Sequence, residues 1–171
     1  MRLATTADLP ALRAMMARAI AELQTAFLSP AEVEASKSMM GLDTQLIEDG
    51  CYFRAELDGH LAGSGGWSRR ATLYGGDHSA GRDARFLDPV TEAARIRAMY
   101  TDPGFVRRGV GRAVLAACEN AARQAGFARA ELMATLAGQP LYLASGFTPI
   151  ECIIDSNGAV PVPLVRMGKT L

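Results

Sequence analysis

The segment FVRRGVGRAVL combines glycines and arginines where a helix is predicted to begin. The first backbone N–H groups of a helix have no partner within it, and the helix dipole adds partial positive charge there. Gly109 and Gly111 lack side chains that would keep an anion away from these groups. Arg107, Arg108 and Arg112 can add full positive charges around the same point. This arrangement is typical of a phosphate site at a helix N-terminus.

Two common phosphate-binding motifs do not match the segment. No GxxxxGK[ST] sequence follows, which excludes a Walker A loop, and the dinucleotide fingerprint GxGxxG would need a glycine at Val114. A tight strand-to-helix connection with solvated arginines and a nucleotide-binding module of another kind remain as alternatives. The flanking arginines and the strand predicted before the segment favour an anion site.

Two segments together resemble the GCN5-related N-acetyltransferase (GNAT) family. In that family a strand ending in V-x-P is followed by [Q/R]-x-x-G-x-[G/A], which opens a helix that binds acetyl-CoA. Thr101-Asp102-Pro103 and residues 106–111 are similar to this motif. Residues 140–147, PLYLASGF, are similar to the second hallmark of the family, Y-x-x-x-G-F before a strand. Two motifs at the expected separation are more specific than either alone.

The resemblance implies which residues would bind acetyl-CoA. Backbone groups of Met99, Tyr100 and Thr101 would pair with the pantetheine arm where two parallel strands separate, and a strand amide there would stabilise the oxyanion. Tyr142 would be the general acid that protonates the departing CoA thiolate. The residues implied at the pyrophosphate are Val106, Arg107, Arg108, Gly109, Val110, Gly111, Arg112 and Ala113.

The chain departs from the family pattern at several positions. The first motif position is Val106 in place of Gln or Arg, and the strand valine is Thr101. Thr135 stands where an asparagine often precedes the tyrosine by seven residues, and its hydroxyl can replace the amide. A glutamate that often serves as base would fall around Arg95 or Arg97. The base therefore does not carry over from the family.

Acetyl transfer to an amine needs a way to remove a proton. An amine with a pKa of about 10.4 is neutral in only about one molecule in 10³ at pH 7. Forming the neutral amine therefore costs roughly 4 kcal/mol. A base or a chain of water molecules is therefore expected. Glu92, just before the central strand, is the first candidate, followed by Asp77 and His78 and then by Glu48 and Glu151.

Several further residues have either a structural or a functional role. Trp67 and Tyr74 either line the substrate pocket or pack in the core, and Cys118 lies on a buried helical face, which argues against a nucleophile. The mixed charges of residues 68–92 suit a zwitterionic or carboxylate-bearing amine, although a solvated loop would have the same composition. A loop of this length inside a compact domain is usually functional or partly disordered.

The hydrophobic periodicity predicts one α/β domain over residues 1–171, with a mixed sheet of about seven strands and helices on its faces. The resemblance to the GNAT family implies a single, mostly antiparallel sheet with helices on both faces. Asp58-Gly59 predicts a hairpin, and Pro161 and Pro163 should confine the last strand to an edge or a bulge. Strands are predicted at residues 2–4, 51–57, 61–67, 94–101, 129–135, 147–154 and 160–167. Helices are predicted at residues 9–23, 30–40, 42–48, 110–125 and 139–145.

The composition bounds the partners. The formal net charge is zero, which argues against binding to nucleic acid or an anionic membrane. The three cysteines have no metal-ligand spacing, so no metal is expected, and they are interpreted as reduced thiols in a cytoplasmic protein. There is no signal-peptide pattern and no apolar run of membrane-spanning length. A homodimer is left open.

The resemblance thus implies an N-acetyltransferase that transfers an acetyl group from acetyl-CoA to a primary amine by direct attack. The acceptor is expected to be a small molecule. Two alternatives are kept open. One is an acyl-CoA-binding sensor domain with little or no catalysis, and the other is a protein N-acetyltransferase.

Overall fold

The computed structural model describes all residues from Met1 to Leu171. The two longest helices have 15 residues each, and no helix combines the length and apolar character needed to cross a bilayer. The helices are α1 (Leu9–Leu23), α2 (Pro30–Ser36), α3 (Thr44–Glu48), α4 (Val110–Gln124) and α5 (Gln139–Ala144). The strands are β1 (Arg2–Leu3), β2 (Tyr52–Leu57), β3 (His60–Ser68), β4 (Ala94–Thr101), β5 (Arg129–Thr135), β6 (Thr148–Asp155) and β7 (Val162–Thr170).

All seven strands form one sheet in the order β1-β2-β3-β4-β5-β7-β6. The pair β4–β5 is parallel, and the other five pairs are antiparallel. The chain reaches β5 from β4 through α4, as a parallel connection requires. This confirms the predicted α/β fold with a mixed, mostly antiparallel sheet of seven strands.

Helices cover both faces of the sheet. On one face, α4 buries Val114, Leu115 and Cys118 against β3, β4 and β5, at the spacing of one helical stripe. On the other face, α1 buries Leu12 and Met16 in a second cluster with residues of β2 and β4. The two apolar layers fix the sheet between them.

The glycines of β3 allow α4 and β4 to approach closely. A Cβ atom added to Gly63 would lie 2.6 Å from Cγ1 of Val110, at the start of α4. A Cβ atom added to Gly65 would lie 2.1 Å from Sδ of Met99. Gly63 and Gly65 are therefore required by the packing of this protein's own side chains around β4.

A bulge interrupts β4 near its middle. The register with β3 shifts between Ser64 and Gly66, and Ala98 adopts a φ of 49°, which is rare for a residue with a side chain. The fully buried Tyr52 holds the bulge, because its hydroxyl donates to the Ala98 carbonyl at 2.8 Å. The same hydroxyl lies 2.9 Å from Oγ of Ser64. Tyr52 thus ties β2, β3 and the bulge of β4 together.

Two local predictions were wrong. Helix α2 ends at Ser36, because the hydroxyls of Ser36 and Ser38 donate to the carbonyls of Val33 and Ala35, each at 2.7 Å, and compete with helical hydrogen bonding. Strand β7 lies between β5 and β6, although an edge or a bulge was expected.

The sheet accommodates Pro163 because of where it falls in β7. It pairs with β6 alone, since the pairing of β7 with β5 begins one residue later, at Leu164. The missing N–H of the proline therefore removes no hydrogen bond to β5.

We expect Tyr52→Phe to lower the free energy of unfolding by about 1–3 kcal/mol, because the buried carbonyl at the bulge loses its donor. Urea denaturation measures this change. Tyr142→Phe is the matched control, because the Tyr142 hydroxyl makes no hydrogen bond within the protein. Its free energy of unfolding should change by less than about 0.5 kcal/mol. Equal effects of the two substitutions would contradict the role assigned to Tyr52.

Candidate active site

The parallel strands β4 and β5 separate soon after they pair. Their register covers only Ala94–Ile96 against Ala130–Leu132, and beyond Ile96 strand β4 is paired with β3 alone. A cleft of about 100 Å³ lies at this separation. Its wall includes Met99 and Tyr100, two of the residues predicted to contact the pantetheine arm. Thr101 follows them on the same unpaired edge of β4.

The start of α4 presents a group of unused amides. Gly109 is the N-cap residue and adopts a left-handed φ of 81°. The amides of residues 106–112 donate no backbone hydrogen bond, whereas the amide of Ala113 donates to the Gly109 carbonyl at 3.0 Å. A Cβ atom added to Gly109 would have no heavy atom within 4 Å. Residues 106–112 therefore present unused backbone donors, with 106–109 and 112 exposed, whereas the amide of Ala113 is committed to the helix.

Arg107 and Arg112 are side chains without an ion-pair partner, and the backbone of Arg107 adopts a left-handed φ of 62°. Arg108 pairs with Asp58 of the β2–β3 hairpin at 2.9 Å, and its guanidinium lies 5.2 Å from the ring centroid of Phe105. Two of the three predicted arginines are thus free to meet an anion.

Packing against α5 also favours glycine at position 111. A Cβ atom added there would lie 3.0 Å from Cδ2 of Leu141 on α5, and 3.4 Å from Oγ1 of Thr101. The first turn of α4 therefore contacts α5, the helix that carries Tyr142.

Tyr142 lines the same cleft as Met99 and Tyr100. Its ring packs edge-on against Phe147 with centroids 6.0 Å apart, and only 7% of the residue is exposed. Burial raises the pKa of Tyr142 above its ordinary value. Because its hydroxyl has no hydrogen-bond partner in the protein, it is a protonated donor available to the cleft.

Thr135 ends β5 beside Tyr142. Its Oγ1 accepts a hydrogen bond from the amide of Gly138 at 3.2 Å, which closes the turn into α5. A Cβ atom added to Gly138 would lie 3.1 Å from Cε2 of Tyr142. Thr135 and Gly138 thus set the position of the Tyr142 ring.

The first candidate base, Glu92, does not line this cleft. Its carboxylate accepts two hydrogen bonds from Arg85, at 2.7 and 3.0 Å, and a third from the amide of Asp88 at 2.9 Å. The Arg85 guanidinium, followed by the Asp88 amide, lowers the pKa of Glu92 to about 2. These contacts favour a structural role in the loop before β4.

The remaining candidate bases also lie outside the wall of the cleft. Asp77 accepts a hydrogen bond from the amide of Thr44, the first residue of α3, at 2.9 Å, and Nε2 of His78 lies 2.8 Å from the carbonyl of Lys37. Glu48 is in α3, and Glu151 is on the exposed strand β6. No carboxylate or imidazole stands among the residues that line the cleft.

The structure separates the residues that have either a structural or a functional role. Trp67 packs in the core, edge-on to Phe127 with ring centroids 6.2 Å apart. Tyr74 lines the cleft, and its hydroxyl donates to Asp155 at 3.0 Å. Cys118 is fully buried, and burial raises the pKa of its thiol, which argues against a nucleophile.

Two features of the site were missed in the sequence. One is Tyr52, whose contact with the Ala98 carbonyl depends on a bulge without a sequence signal. The other is Arg97, buried in the cleft wall at 4% exposure and paired with Asp43. The available signal was the presence of two arginines, Arg95 and Arg97, in a strand whose other residues are mostly apolar.

The comparison with curated protein sequences gives no significant match. Several solved structures have the same fold. The GCN5-related N-acetyltransferase from Rhodopseudomonas palustris is 18% identical, with a TM-score of 0.70 over 100% of this chain and 99% of that one. A ribosomal-protein-alanine N-acetyltransferase from Brucella melitensis is 20% identical, with a TM-score of 0.65 and coverage of 99% and 98%.

A third similar structure is YncA from Salmonella typhimurium with its cofactor acetyl-CoA. It is 18% identical, with a TM-score of 0.64 over 99% of this chain and 92% of that one. At this level of identity these likenesses show the fold. The model of the acetyltransferase (GNAT) family matches residues 17–147, which include the start of α4 and Tyr142. This protein therefore belongs to the GNAT family of acetyltransferases.

Proposed function

We propose that this protein transfers the acetyl group of acetyl-CoA to the primary amine of a small molecule. Two observations carry the proposal: the start of α4, with its unpaired amides, lies beside Thr101 on the unpaired edge of β4, and the unpartnered hydroxyl of Tyr142 belongs to the cleft along that edge. Membership of the acetyltransferase family supports it. The YncA structure, with its cofactor acetyl-CoA, adds support at the level of the fold.

The residues at the start of α4 fit a pyrophosphate. The amides of residues 106–112 are uncommitted, and the positive end of the α4 dipole lies behind them. Arg107 and Arg112 add charges that have no internal partner. The unpaired edge of β4, from Met99 to Thr101, would hold the extended arm by backbone hydrogen bonds.

Acetyl-CoA supplies an activated acetyl thioester. Attack by the neutral amine forms the new N–C bond, and the C–S bond then breaks. Tyr142 donates its phenolic proton to the leaving thiolate and regains a proton from solvent, and the proton lost by the amine passes to solvent. The backbone at the bulge, beside Ala98, would stabilise the negative charge that develops on the carbonyl oxygen.

The cleft favours a small acceptor and a reaction without an enzyme carboxylate as base. Its volume is about 100 Å³, and its wall is largely apolar. None of the candidate bases lines the cleft, so no side chain there would deprotonate the amine. The acceptor must therefore lose its proton to solvent before it attacks. The proposal therefore retains Tyr142 as the acid and does not include Glu92 as the base.

The helix-start site is tested by Gly109→Glu. The new carboxylate would repel the pyrophosphate, and we expect the Kd for CoA to rise by about tenfold or more in isothermal titration calorimetry. Gly50→Glu is the control, because Gly50 also has a positive φ, 65°, and no heavy atom within 4 Å of an added Cβ. It carries the same charge and backbone strain away from the site. An equal loss of affinity in both variants would contradict the assignment.

The acid is tested by Tyr142→Phe. We expect kcat to fall by about 10²–10⁴, because the leaving thiolate loses its proton donor. The Kd for CoA should stay nearly unchanged, because the ring and its packing on Phe147 are retained. Steady-state kinetics and calorimetry on the same preparation measure both quantities. A larger effect on Kd than on kcat would show that Tyr142 serves binding.

The pH dependence tests the absence of an enzyme base. We expect log kcat/KM to rise with a slope near one from about pH 6 to the pKa of the acceptor amine, because only the neutral amine reacts. Burial raises the pKa of Tyr142 above its ordinary value, so the acid stays protonated and no falling limb should appear below about pH 10. A plateau that begins below about pH 7 would reveal a base and contradict this account.

A further inference from the structure

The cleft contains one formally charged side chain. Its wall is otherwise made of apolar, glycine, threonine and tyrosine residues, and the exception is Arg97. Arg97 immediately precedes the bulge residue Ala98 and is only 4% exposed. Burial of a guanidinium is costly unless its N–H groups are used. The contacts of Arg97 therefore indicate what the cleft is built to hold.

The protein provides partners for only some of the hydrogen-bond donors of Arg97. One terminal nitrogen contacts Oδ2 of Asp43 at 2.6 Å, and the other donates to the carbonyl of Gly75 at 2.8 Å. Nε of Arg97 is buried without any hydrogen-bond partner. A guanidinium has more N–H donors than these two acceptors use. Donors thus remain uncommitted on a side chain that forms part of the cleft wall.

The charge around Arg97 is also not balanced. The fully buried Asp43 is shared with a second cation, Arg82, which donates to Oδ1 of Asp43 at 2.8 Å. Two guanidinium groups therefore share one buried carboxylate. The second carboxylate whose field reaches Arg97 belongs to Asp77, which is exposed and screened by solvent. The cleft wall keeps a positive charge that an anion can neutralise.

We propose that the acceptor is a small amine that carries a carboxylate, and that Arg97 binds this carboxylate. This inference rests on the proposed function. A carboxylate would take the uncommitted N–H donors and compensate the excess charge. The same cation disfavours an ammonium group in the cleft, which promotes the neutral form of the attacking amine.

The other residues of the cleft wall indicate which side chain the acceptor carries. It includes Met39, Met40, Leu73, Met133 and Leu164. Methionine side chains adapt to irregular apolar shapes. Together with the small volume, this wall fits an amino acid with an apolar side chain.

The test compares leucine, methionine and phenylalanine, each as the free acid and as its amide. The preference, kcat/KM for the acid divided by kcat/KM for the amide, is measured in the wild type, Arg97→Met and Arg82→Met. Comparing this ratio between variants cancels the different pKa values of the two amines. We expect Arg97→Met to lower the preference by at least about tenfold. Arg82→Met should lower the preference much less than Arg97→Met does, because it removes part of the excess charge around Asp43 but no N–H donor from the cleft wall.

An equal preference in all three proteins would overturn the inference, as would an equal loss in both variants, which would show that Arg97 only supports Asp43. Arg97→Lys keeps a cation opposite Asp43 and provides a second variant if Arg97→Met does not fold. Because lysine keeps the charge but provides fewer N–H donors, Arg97→Lys should lower the preference less than Arg97→Met does, and a larger loss in Arg97→Lys would also overturn the inference.

Binding provides the same comparison without turnover. Calorimetry of CoA-loaded protein with N-acetyl-L-leucine and N-acetyl-L-leucinamide should favour the acid by at least about tenfold. A lack of preference for the acid in this experiment overturns the inference alone. Failure of the proposed function is distinguishable, because it would appear as absence of CoA binding and of acetylation of acids and amides alike.

Discussion

Strands β4 and β5 pair in parallel over Ala94–Ile96 and then separate, and the cleft exists because of this separation. The bulge at Ala98 ends the regular course of β4, and the buried hydroxyl of Tyr52 holds its carbonyl. Since β4 stays paired with β3 beyond the bulge, its opposite edge keeps unpaired backbone groups. Unpaired backbone groups at such an edge need partners, which either water or a ligand can supply.

The separation also connects the two faces of the sheet. Tyr142 belongs to the apolar cluster that α4 and α5 cover, whereas Tyr100 belongs to the cluster under α1. Both side chains line the one cleft. Acetyl-CoA bound at the start of α4 and an amine substrate that reaches Arg97 would therefore meet within the sheet. This arrangement would permit the direct transfer that we propose, without a covalent enzyme intermediate.

The sequence predicted best the features that depend on local chemistry. The bounds of β4 and β5 agree with the predicted residues, and the Asp58-Gly59 turn joins β2 and β3. Gly109 adopts the left-handed conformation at the predicted start of α4. These features follow from apolar periodicity and from glycine positions, which are visible in short windows.

Features that depend on distant contacts were not predictable in this way. Glu92 lies just before β4, but Arg85 and the turn around it hold its carboxylate in the preceding loop. The buried position of Arg97 depends on its ion pair with Asp43, which lies at the start of α3 and is distant in the sequence. Pro163 suggested that β7 lies at an edge of the sheet, although β7 pairs on both sides. The proline is tolerated because the pairing of β7 with β5 begins only at Leu164. Each case requires the tertiary arrangement.

The central claim is that CoA lies along the unpaired edge of β4 and ends at the start of α4. Titration of ¹⁵N-labelled protein with CoA, followed by ¹H–¹⁵N NMR, tests it most directly. The account predicts that the largest amide shifts fall within residues 98–101 and 106–112, whose amides are free of β5 and of the helix. Saturable shifts centred elsewhere, for example on strands β6 and β7, or no shifts at all, would contradict the claim.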